Sequence, residues 1–184
     1  IDGAYMPFAP KDAAAFDALV AAGRAGLVQG LNVTAPFKEQ AFALADEASK
    51  AAKATGSANI LVFEAGRVRA DSSDGVGVLY ALAEQAPGLN LQGAVVVMLG
   101  AGGAARAGAG ALIEAGAQIR ILNRSRDRAE ALAADLGPSV SVAEETALVE
   151  ADLVVNALSV PPSIDLSMLK PTAVVMDMTY KPVV

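Results

Sequence analysis

The sequence predicts an α/β protein with two domains, each containing a mostly parallel sheet flanked by helices. Residues 94–99 (AVVVML) are apolar without alternation, which is typical of a parallel strand buried on both faces. A glycine turn, an Ala-rich segment and a second apolar run at 118–122 (QIRIL) complete a strand–helix–strand unit. Pro87 and Gly88 mark a turn between the halves, so we expect domains over 1–87 and 88–184.

Composition restricts the chemistry available to the protein. The chain has 184 residues, 54% of them hydrophobic, and a net charge of −6, which argues against nucleic acid or an anionic membrane as the main partner. It has no Cys and no His, so disulfides, thiolate or imidazole metal sites and Ser-His triads are excluded, and we expect no metal. Proton transfer must then fall to Lys, Asp, Glu or Tyr. No membrane span or signal peptide is evident, and we expect a cytoplasmic location.

Periodicity and chain breakers predict the remaining elements. In the first half we expect strands over 1–8 and 28–33, a hairpin over 60–69, and helices over 11–23, 38–53 and 76–85. In the second half we expect a helix after the glycine turn, another over 126–136, and strands over 139–142, 152–157 and 173–178. Successive βα units form an open sheet whose ligand lies at the carboxyl ends of the strands.

The glycine turn has the GxGxx(G/A) pattern of a Rossmann-like dinucleotide site, in the strand-to-helix context that this pattern requires. Gly100 allows the tight turn, and Gly102 lets the backbone approach a pyrophosphate at the helix N-terminus. Ala105 is the small residue needed for close packing of helix on sheet. The alternative is a glycine turn that only packs tightly.

The end of the second strand indicates which dinucleotide binds. An NAD site usually carries Asp or Glu there, whereas this chain has Asn123-Arg124-Ser125, with Arg128 one helical turn further. A carboxylate would repel a 2′-phosphate, but a guanidinium group can bind it through two parallel hydrogen bonds. We therefore predict NADP; the alternative is a solvated basic loop.

Two polar clusters lie outside the nucleotide-binding half. Residues 32–38 (NVTAPFK) place an amine where a strand becomes a helix, and Asn59 and residues 72–75 (SSDG) supply an amide and a carboxylate. Lys38 and Asp74 facing a bound hydroxyl could move its proton while hydride leaves the same carbon. Equally, Lys38 could be a solvated helix residue and Asp74 a helix N-cap. The local pattern leaves both interpretations open.

Seven motifs together resemble the shikimate dehydrogenase family: NVTAPFK, GSANILVFEAGRV, SSDGVG, MLGAGGAARA, NRSRDRAE, ADLVVNALS and VVMDMTYKP. They follow the family's order and approximate spacing over nearly the whole chain. The resemblance implies an NADP-dependent alcohol dehydrogenase that interconverts 3-dehydroshikimate and shikimate in aromatic amino-acid biosynthesis. It also implies a cleft between a substrate-binding, catalytic domain and a Rossmann domain.

The resemblance further implies roles for individual residues. Lys38 is the expected catalytic lysine, and Asp74 is its acidic partner and a substrate ligand. The other expected substrate ligands are Thr34, Asn59 and Tyr180. The expected NADP ligands are Gly100, Ala101, Gly102, Gly103 and Ala104 at the pyrophosphate, Asn123, Arg124, Ser125 and Arg128 at the 2′-phosphate, Met178 beside the nicotinamide, and Ser159.

The sequence departs from the family pattern in several places. An opening βα unit with two substrate-binding serines, a C-terminal helix with a substrate-binding glutamine, and a glycine-containing loop after Ser159 have no counterpart, and Ser72-Ser73 replaces the usual Asn-Thr. We expect incomplete termini, within a chain of about 260–280 residues. If the sequence were the whole protein, its activity would be in doubt because carboxylate-binding groups would be missing.

Several alternatives stay open. Quinate could be the substrate, with relaxed use of NAD and NADP, or the chain could be a non-catalytic NADP-binding module of the same fold. The presence of both Lys38 and Asp74 favours the enzyme. A folate-linked dehydrogenase would need a pterin site, to which these motifs do not point. The sequence does not fix the oligomeric state, and a homodimer is compatible with it.

Overall fold

The structure, a computed structural model, describes residues 3–158, 160 and 162–179. Six helices have the bounds Ala13–Arg24 (α1), Lys38–Ala43 (α2), Lys50–Thr55 (α3), Asp74–Gln85 (α4), Gly103–Glu114 (α5) and Arg126–Leu136 (α6) in these residues. The described part of the chain also contains nine strands, with the bounds Gly30–Asn32 (β1), Glu47–Ala48 (β2), Ile60–Glu64 (β3), Arg67–Asp71 (β4), Val95–Leu99 (β5), Gln118–Leu122 (β6), Val140–Val142 (β7), Leu153–Asn156 (β8) and Val174–Asp177 (β9). Short 3-10 helices occupy Glu145–Glu150 and Leu166–Met168.

The second half forms a five-stranded parallel sheet in the order β7-β6-β5-β8-β9. Its central strand, β5, is apolar without alternation because both faces are covered. Met98 of β5 packs in a cluster with Leu112 of α5 on one face, and Val97 packs against Leu148 of a 3-10 helix on the other. The predicted Rossmann-like sheet is therefore confirmed.

The first half forms a four-stranded sheet in the order β1-β3-β4-β2, and the prediction that it would be mostly parallel is wrong. Strand β3 pairs antiparallel with both β1 and β4, and only β2 and β4 run parallel in the described part of this sheet. For β3 and β4 the reason is the two-residue loop Ala65-Gly66, whose φ angles of 49° and 78° suit a tight hairpin turn. A loop this short can only join antiparallel strands.

Two predicted elements of the first half also differ from the structure. The helix expected over 38–53 is interrupted, because Asp46 N donates to Val68 O at 2.9 Å and its carboxylate accepts from Val68 N at 2.7 Å. This pairing forms β2, and Ser49 then caps a new helix, α3. The strand expected over 1–8 is absent from residues 3–8, where Pro7 provides no backbone donor for a sheet.

Each sheet has its own hydrophobic core. Phe16, Leu61 and Val68 belong to the first core, whereas Val78 of α4 belongs to the core of the second sheet. Helices α3 and α4 both pack on α5, which brings the two halves into contact. Among the described residues, no helix is long and apolar enough to cross a membrane.

Candidate functional site

Lys38 is held in place by the segment between β1 and α2. Phe37 N donates to Thr34 O at 3.0 Å, and the Phe37 ring stacks on Phe16 with their centroids 5.0 Å apart. Lys38 is the first residue of α2, and its own carbonyl accepts from Ala58 N at 2.9 Å. The backbone of Lys38 is therefore anchored to both α1 and the segment before β3.

Lys38 and Asp74 form an ion pair, with Lys38 Nζ 2.5 Å from Asp74 Oδ2. The two side chains are 14% and 16% exposed, so the alternative of a solvated lysine is wrong. Asp74 is the first residue of α4, and the N-cap position belongs to Ser73, so the N-cap alternative is wrong as well. The pair is sheltered enough for its charges to interact strongly, yet accessible enough to exchange a proton with a bound hydroxyl.

Asn59 completes this cluster. Its Nδ2 donates to Asp74 Oδ1 at 2.7 Å and to Ser73 Oγ at 3.1 Å, and its Oδ1 accepts from Ser73 N at 3.0 Å. Each oxygen of the Asp74 carboxylate therefore has its own donor, Asn59 for one and Lys38 for the other. The contribution of Ser73 was missed in the sequence, where only its position in the SSDG motif could have indicated it.

The glycine turn leaves room for a phosphate group. Gly100 has φ +108°, a conformation that favours glycine, and its N donates to Leu122 O at 2.8 Å. After Ala101, Gly102 occupies the N-cap of the 12-residue helix α5, and a Cβ there would meet no described atom within 4 Å. Gly103 and Ala104 begin the helix, whose first turn has no acidic residue. An open helix N-terminus without an acidic residue in its first turn suits a pyrophosphate.

The loop after β6 presents positive charge. Arg124 and Arg128 are exposed and make no ion pair or hydrogen bond with the part of the chain that the structure describes. Arg126, in contrast, is engaged by Glu130 at 2.8 Å and by Glu144 at 3.4 Å. Asn123 Nδ2 donates to the carbonyl of Ser125 at 2.8 Å and so shapes the loop. Two guanidinium groups are therefore available to an anion.

The carboxyl ends of β8 and β9 carry a further polar pair that the sequence analysis did not single out. Asn156 is 5% exposed, and its Nδ2 donates to Asp177 Oδ1 at 3.0 Å. Met178 N donates to Asn156 O at 2.9 Å, which fixes Met178 at this edge of the sheet. Polar residues at the carboxyl ends of two apolar strands were the signal that could have identified this pair. The predicted ligands Ser159 and Tyr180 lie outside the described residues.

The glycine turn and the Lys38–Asp74 pair are neighbours in space. A Cβ placed on Gly103 would lie 3.3 Å from Lys38 Cβ and 3.8 Å from Ser57 Cβ. In the described residues, no group of three or more His, Cys, Asp or Glu side chains could hold a metal ion. The Lys38–Asp74 pair thus lies where it could move the proton of a bound hydroxyl beside a dinucleotide held at the glycine turn.

Fold and site thus define a two-sheet α/β protein with a Rossmann-like domain, in which a sheltered Lys–Asp pair lies beside the glycine turn. Residues 1–61 match the shikimate dehydrogenase substrate binding domain, and residues 81–173 match the shikimate/quinate 5-dehydrogenase family. The chain belongs to the shikimate dehydrogenase family, which confirms the predicted family and enzyme class. It is 50% identical to the NADP-dependent shikimate dehydrogenase of Caulobacter vibrioides, over 99% of this chain and 68% of that protein. The corresponding enzyme of Dinoroseobacter shibae is 39% identical over 99% of this chain and 69% of its own length.

Solved structures show the same similarity. Shikimate 5-dehydrogenase from Thermus thermophilus, in complex with NADP(H) and shikimate, superimposes with a TM-score of 0.79 and 34% identity. The match covers 92% of this chain and 65% of that chain. Quinate dehydrogenase from Corynebacterium glutamicum, in complex with NAD, gives a TM-score of 0.77 and 30% identity, over 89% of this chain and 63% of its own. This chain therefore spans about two thirds of the length of its relatives.

Proposed function

We propose that the chain catalyses the NADP-linked interconversion of 3-dehydroshikimate and shikimate, with Lys38 and Asp74 as its proton-transfer pair. The observation that carries this proposal is the 2.5 Å contact between Lys38 Nζ and Asp74 Oδ2 beside the glycine turn. The similarity to NADP-dependent shikimate dehydrogenases over almost the whole chain also supports the proposal.

In this proposal the pair handles the proton on the reacting oxygen. NADP⁺ would supply the hydride acceptor for the carbon that carries the reacting hydroxyl. Lys38 and Asp74 accept the hydroxyl proton as the carbonyl forms, and they return it in the reverse reaction. Asn59 holds one carboxylate oxygen of Asp74, so that the other faces Lys38.

The cofactor is assigned to the glycine turn and the loop after β6. Backbone from Gly100 to Ala104 would hold the pyrophosphate at the N-terminus of α5. Arg124 and Arg128 would hold the 2′-phosphate, with Asn123 and Ser125 shaping that loop. Met178, at the end of β9, would lie beside the nicotinamide, and Ser159 would complete the cofactor ligands.

The substrate is assigned to the end of the first sheet at which β1 ends and β3 begins. Thr34 is exposed in the loop after β1, and Asn59 lies immediately before β3, which runs antiparallel to β1. Both residues therefore lie at the edge where Lys38 and Asp74 meet. Hydroxyl and amide groups here, with the hydroxyl of Tyr180, suit the ring hydroxyls of a polyhydroxy acid.

We extend the proposal to organisation and location. The boundary would lie near Pro87, with a substrate-binding, catalytic domain over 1–87 and an NADP-binding domain over 88–184. The separate cores of the two sheets support this division, although Val78 of α4 joins the second core.

The protein would work in the cytoplasm on a small acid, without nucleic acid or membrane as a partner. Light scattering on the purified protein would distinguish a monomer from a homodimer.

Quinate is a second candidate substrate. The family description for residues 81–173 names shikimate and quinate together, and the similar enzyme from Corynebacterium glutamicum is a quinate dehydrogenase with bound NAD. The two exposed arginines after β6 favour NADP over NAD, but they do not separate the two acids.

The test follows absorbance at the reduced-nicotinamide band for purified protein with shikimate or quinate and either NADP or NAD. The proposal expects fast reduction of NADP with shikimate and much slower reduction in the other three combinations. Folded protein that binds NADP but reduces it with neither acid would instead support the non-catalytic module.

A further inference from the structure

Helix α4 approaches α5 unusually closely at one residue, Gly75. A Cβ built on Gly75 would lie 2.8 Å from the carbonyl oxygen of Ala107 and 2.8 Å from Cβ of Ala111. Real Cβ atoms essentially never make contacts this short, and the obstacle includes the backbone of α5. Only a residue without a side chain allows the two helices to lie at this separation.

Gly75 directly follows Asp74, so the same contact fixes the carboxylate. Asp74 begins α4, and its two oxygens face Lys38 at 2.5 Å and Asn59 at 2.7 Å. Helix α5 also contacts the other member of the pair, because Gly103 abuts Lys38. Lys38 therefore lies against α5 directly, and Asp74 does so through Gly75. The N-terminus of this same helix is assigned to the pyrophosphate.

We propose that Gly75 is a positioning residue, whose close contact with α5 sets the distance between Asp74 and Lys38. This inference rests on the proposed function, because it explains how the proton-transfer pair is kept in register with the cofactor turn. Gly75 touches neither substrate nor cofactor in this assignment, and it acts through Asp74.

A substitution at Gly75 would displace the first turn of α4, where Val76 and Gly77 are exposed, rather than α5. Helix α5 is embedded in the second core, where Ala105, Ala109 and Leu112 are each 0% exposed. Adding a methyl group at Gly75 would therefore push the start of α4 away from α5 and carry Asp74 with it. Hydrogen bonds weaken steeply with distance and angle, and misplacing a reacting group by about 1 Å can cost on the order of 100-fold in rate.

Gly77 offers a matched control in the same helix. A Cβ on Gly77 would meet no described atom within 4 Å, and the residue is exposed. Gly75→Ala and Gly77→Ala make the same chemical change and bring the same gain in helix propensity. Any difference between the two variants therefore reports the contact with α5.

The experiment compares Gly75→Ala, Gly77→Ala and the unmodified protein in kcat, KM for shikimate and Kd for NADP. For Gly75→Ala we expect kcat to fall at least 10-fold, with Kd for NADP within about 2-fold of the unmodified value. Gly77→Ala should keep the kcat and the Kd for NADP of the unmodified protein. A Gly75→Ala variant that is folded and retains the unmodified kcat would overturn the inference, as would an equal loss in the two variants.

A second variant covers the case in which Gly75→Ala does not fold. The double variant Gly75→Ala, Ala111→Gly removes one of the two short contacts and leaves the Ala107 carbonyl, so we expect it to fold and its kcat to fall less than about 10-fold. A folded double variant whose kcat falls by about 10-fold or more would contradict the inference.

A structural readout separates this inference from the proposed function. Crystal structures of the Gly75 and Gly77 variants give the distance between Lys38 Nζ and Asp74 Oδ2 whether or not the protein oxidises shikimate. We expect this distance to lengthen in the Gly75 variant alone. If the unmodified protein is inactive, the proposed function fails, and an unchanged distance would separately refute the positioning role.

Discussion

Lys38 and Asp74 are 36 positions apart in sequence, yet each is the first residue of a helix and their side chains meet at 2.5 Å. A carboxylate at a helix N-terminus is favoured by the helix dipole, whereas an ammonium group there is not. Asp74 therefore stabilises Lys38 where the local backbone would not, while α4 stabilises Asp74. The arrangement brings an amine and a carboxylate together at the edge of the first sheet.

Replacing Lys38 with Ala should abolish most turnover without unfolding the protein. We expect kcat to fall by about 10²–10⁴-fold, the usual contribution of a positioned proton-transfer group. Circular dichroism and NADP titration should give near-unmodified results. Lys53→Ala, which removes an exposed lysine from α3, is the control and should keep its activity. Near-normal turnover in Lys38→Ala would refute the proposed role.

Replacing Asn59 with Ala should loosen Asp74. The lost hydrogen bond of 2.7 Å is to a charged group. We therefore expect kcat/KM to fall roughly 10–100-fold, which corresponds to a loss of about 1.5–3 kcal/mol in transition-state stabilisation. Steady-state kinetics with shikimate measures this effect. Asn90→Ala removes an exposed amide that serves only Gln92 N in the described contacts, and it should leave kcat/KM unchanged. Equal kinetics for both variants would mean that Asn59 does not hold Asp74.

Much of the second half could be predicted from the sequence, because buried parallel strands and the glycine turn have local signatures. The uninterrupted apolar run that contains β5 and the position of Gly100 both follow from residues adjacent in the chain. In the first half, contacts between residues far apart in sequence override the local pattern. Nothing near residue 46 indicates that its backbone will pair with Val68 and divide a predicted helix in two.

The same distinction applies to the candidate site. Lys38, Asn59 and Asp74 could be singled out because each occurs in a short motif at an element end. The proposed role of Gly75 could not be predicted in this way. The obstacle to a side chain there is the carbonyl of Ala107, on a helix that is far away in sequence. Contacts between elements decide such positions, and a local sequence pattern carries no information about them.

Replacing Arg124 with Ala should weaken NADP far more than NAD. Its guanidinium group is exposed and free of ion pairs with described residues, so it can bind a 2′-phosphate that NAD lacks. We expect a loss of about 1–3 kcal/mol for NADP and little change for NAD, measured by titration of each cofactor. The control is Arg126→Ala, since Glu130 and Glu144 already engage that side chain. Equal losses for NADP and NAD would exclude Arg124 from the phosphate site.

Asp152 should make the stability of the second sheet depend on pH. A hydrogen bond from Lys170 and a second one from Val95 N, at 2.8 Å, lower the pKa of Asp152 below its ordinary value of 3.8, against an opposing effect of burial. A carboxyl group whose pKa is lower in the folded state stabilises the fold fully at pH values above its unfolded pKa. This stabilisation is lost as the pH falls below about 4 and through the lowered pKa.

Replacing Asp152 with Asn should therefore destabilise the protein at pH 7 and matter less in acid. We expect a difference of about 1 kcal/mol in the free energy of unfolding at pH 7, because the carboxylate is 35% exposed and solvent screens the pair. Urea unfolding at pH 7, 5 and 3 measures how this difference shrinks between pH 5 and pH 3. Glu84→Gln, at an exposed carboxylate without an ion pair in the described residues, should show no comparable change. A difference that stays constant down to pH 3 would show that the Asp152 carboxylate does not stabilise the junction of β5 and β8 through its charge.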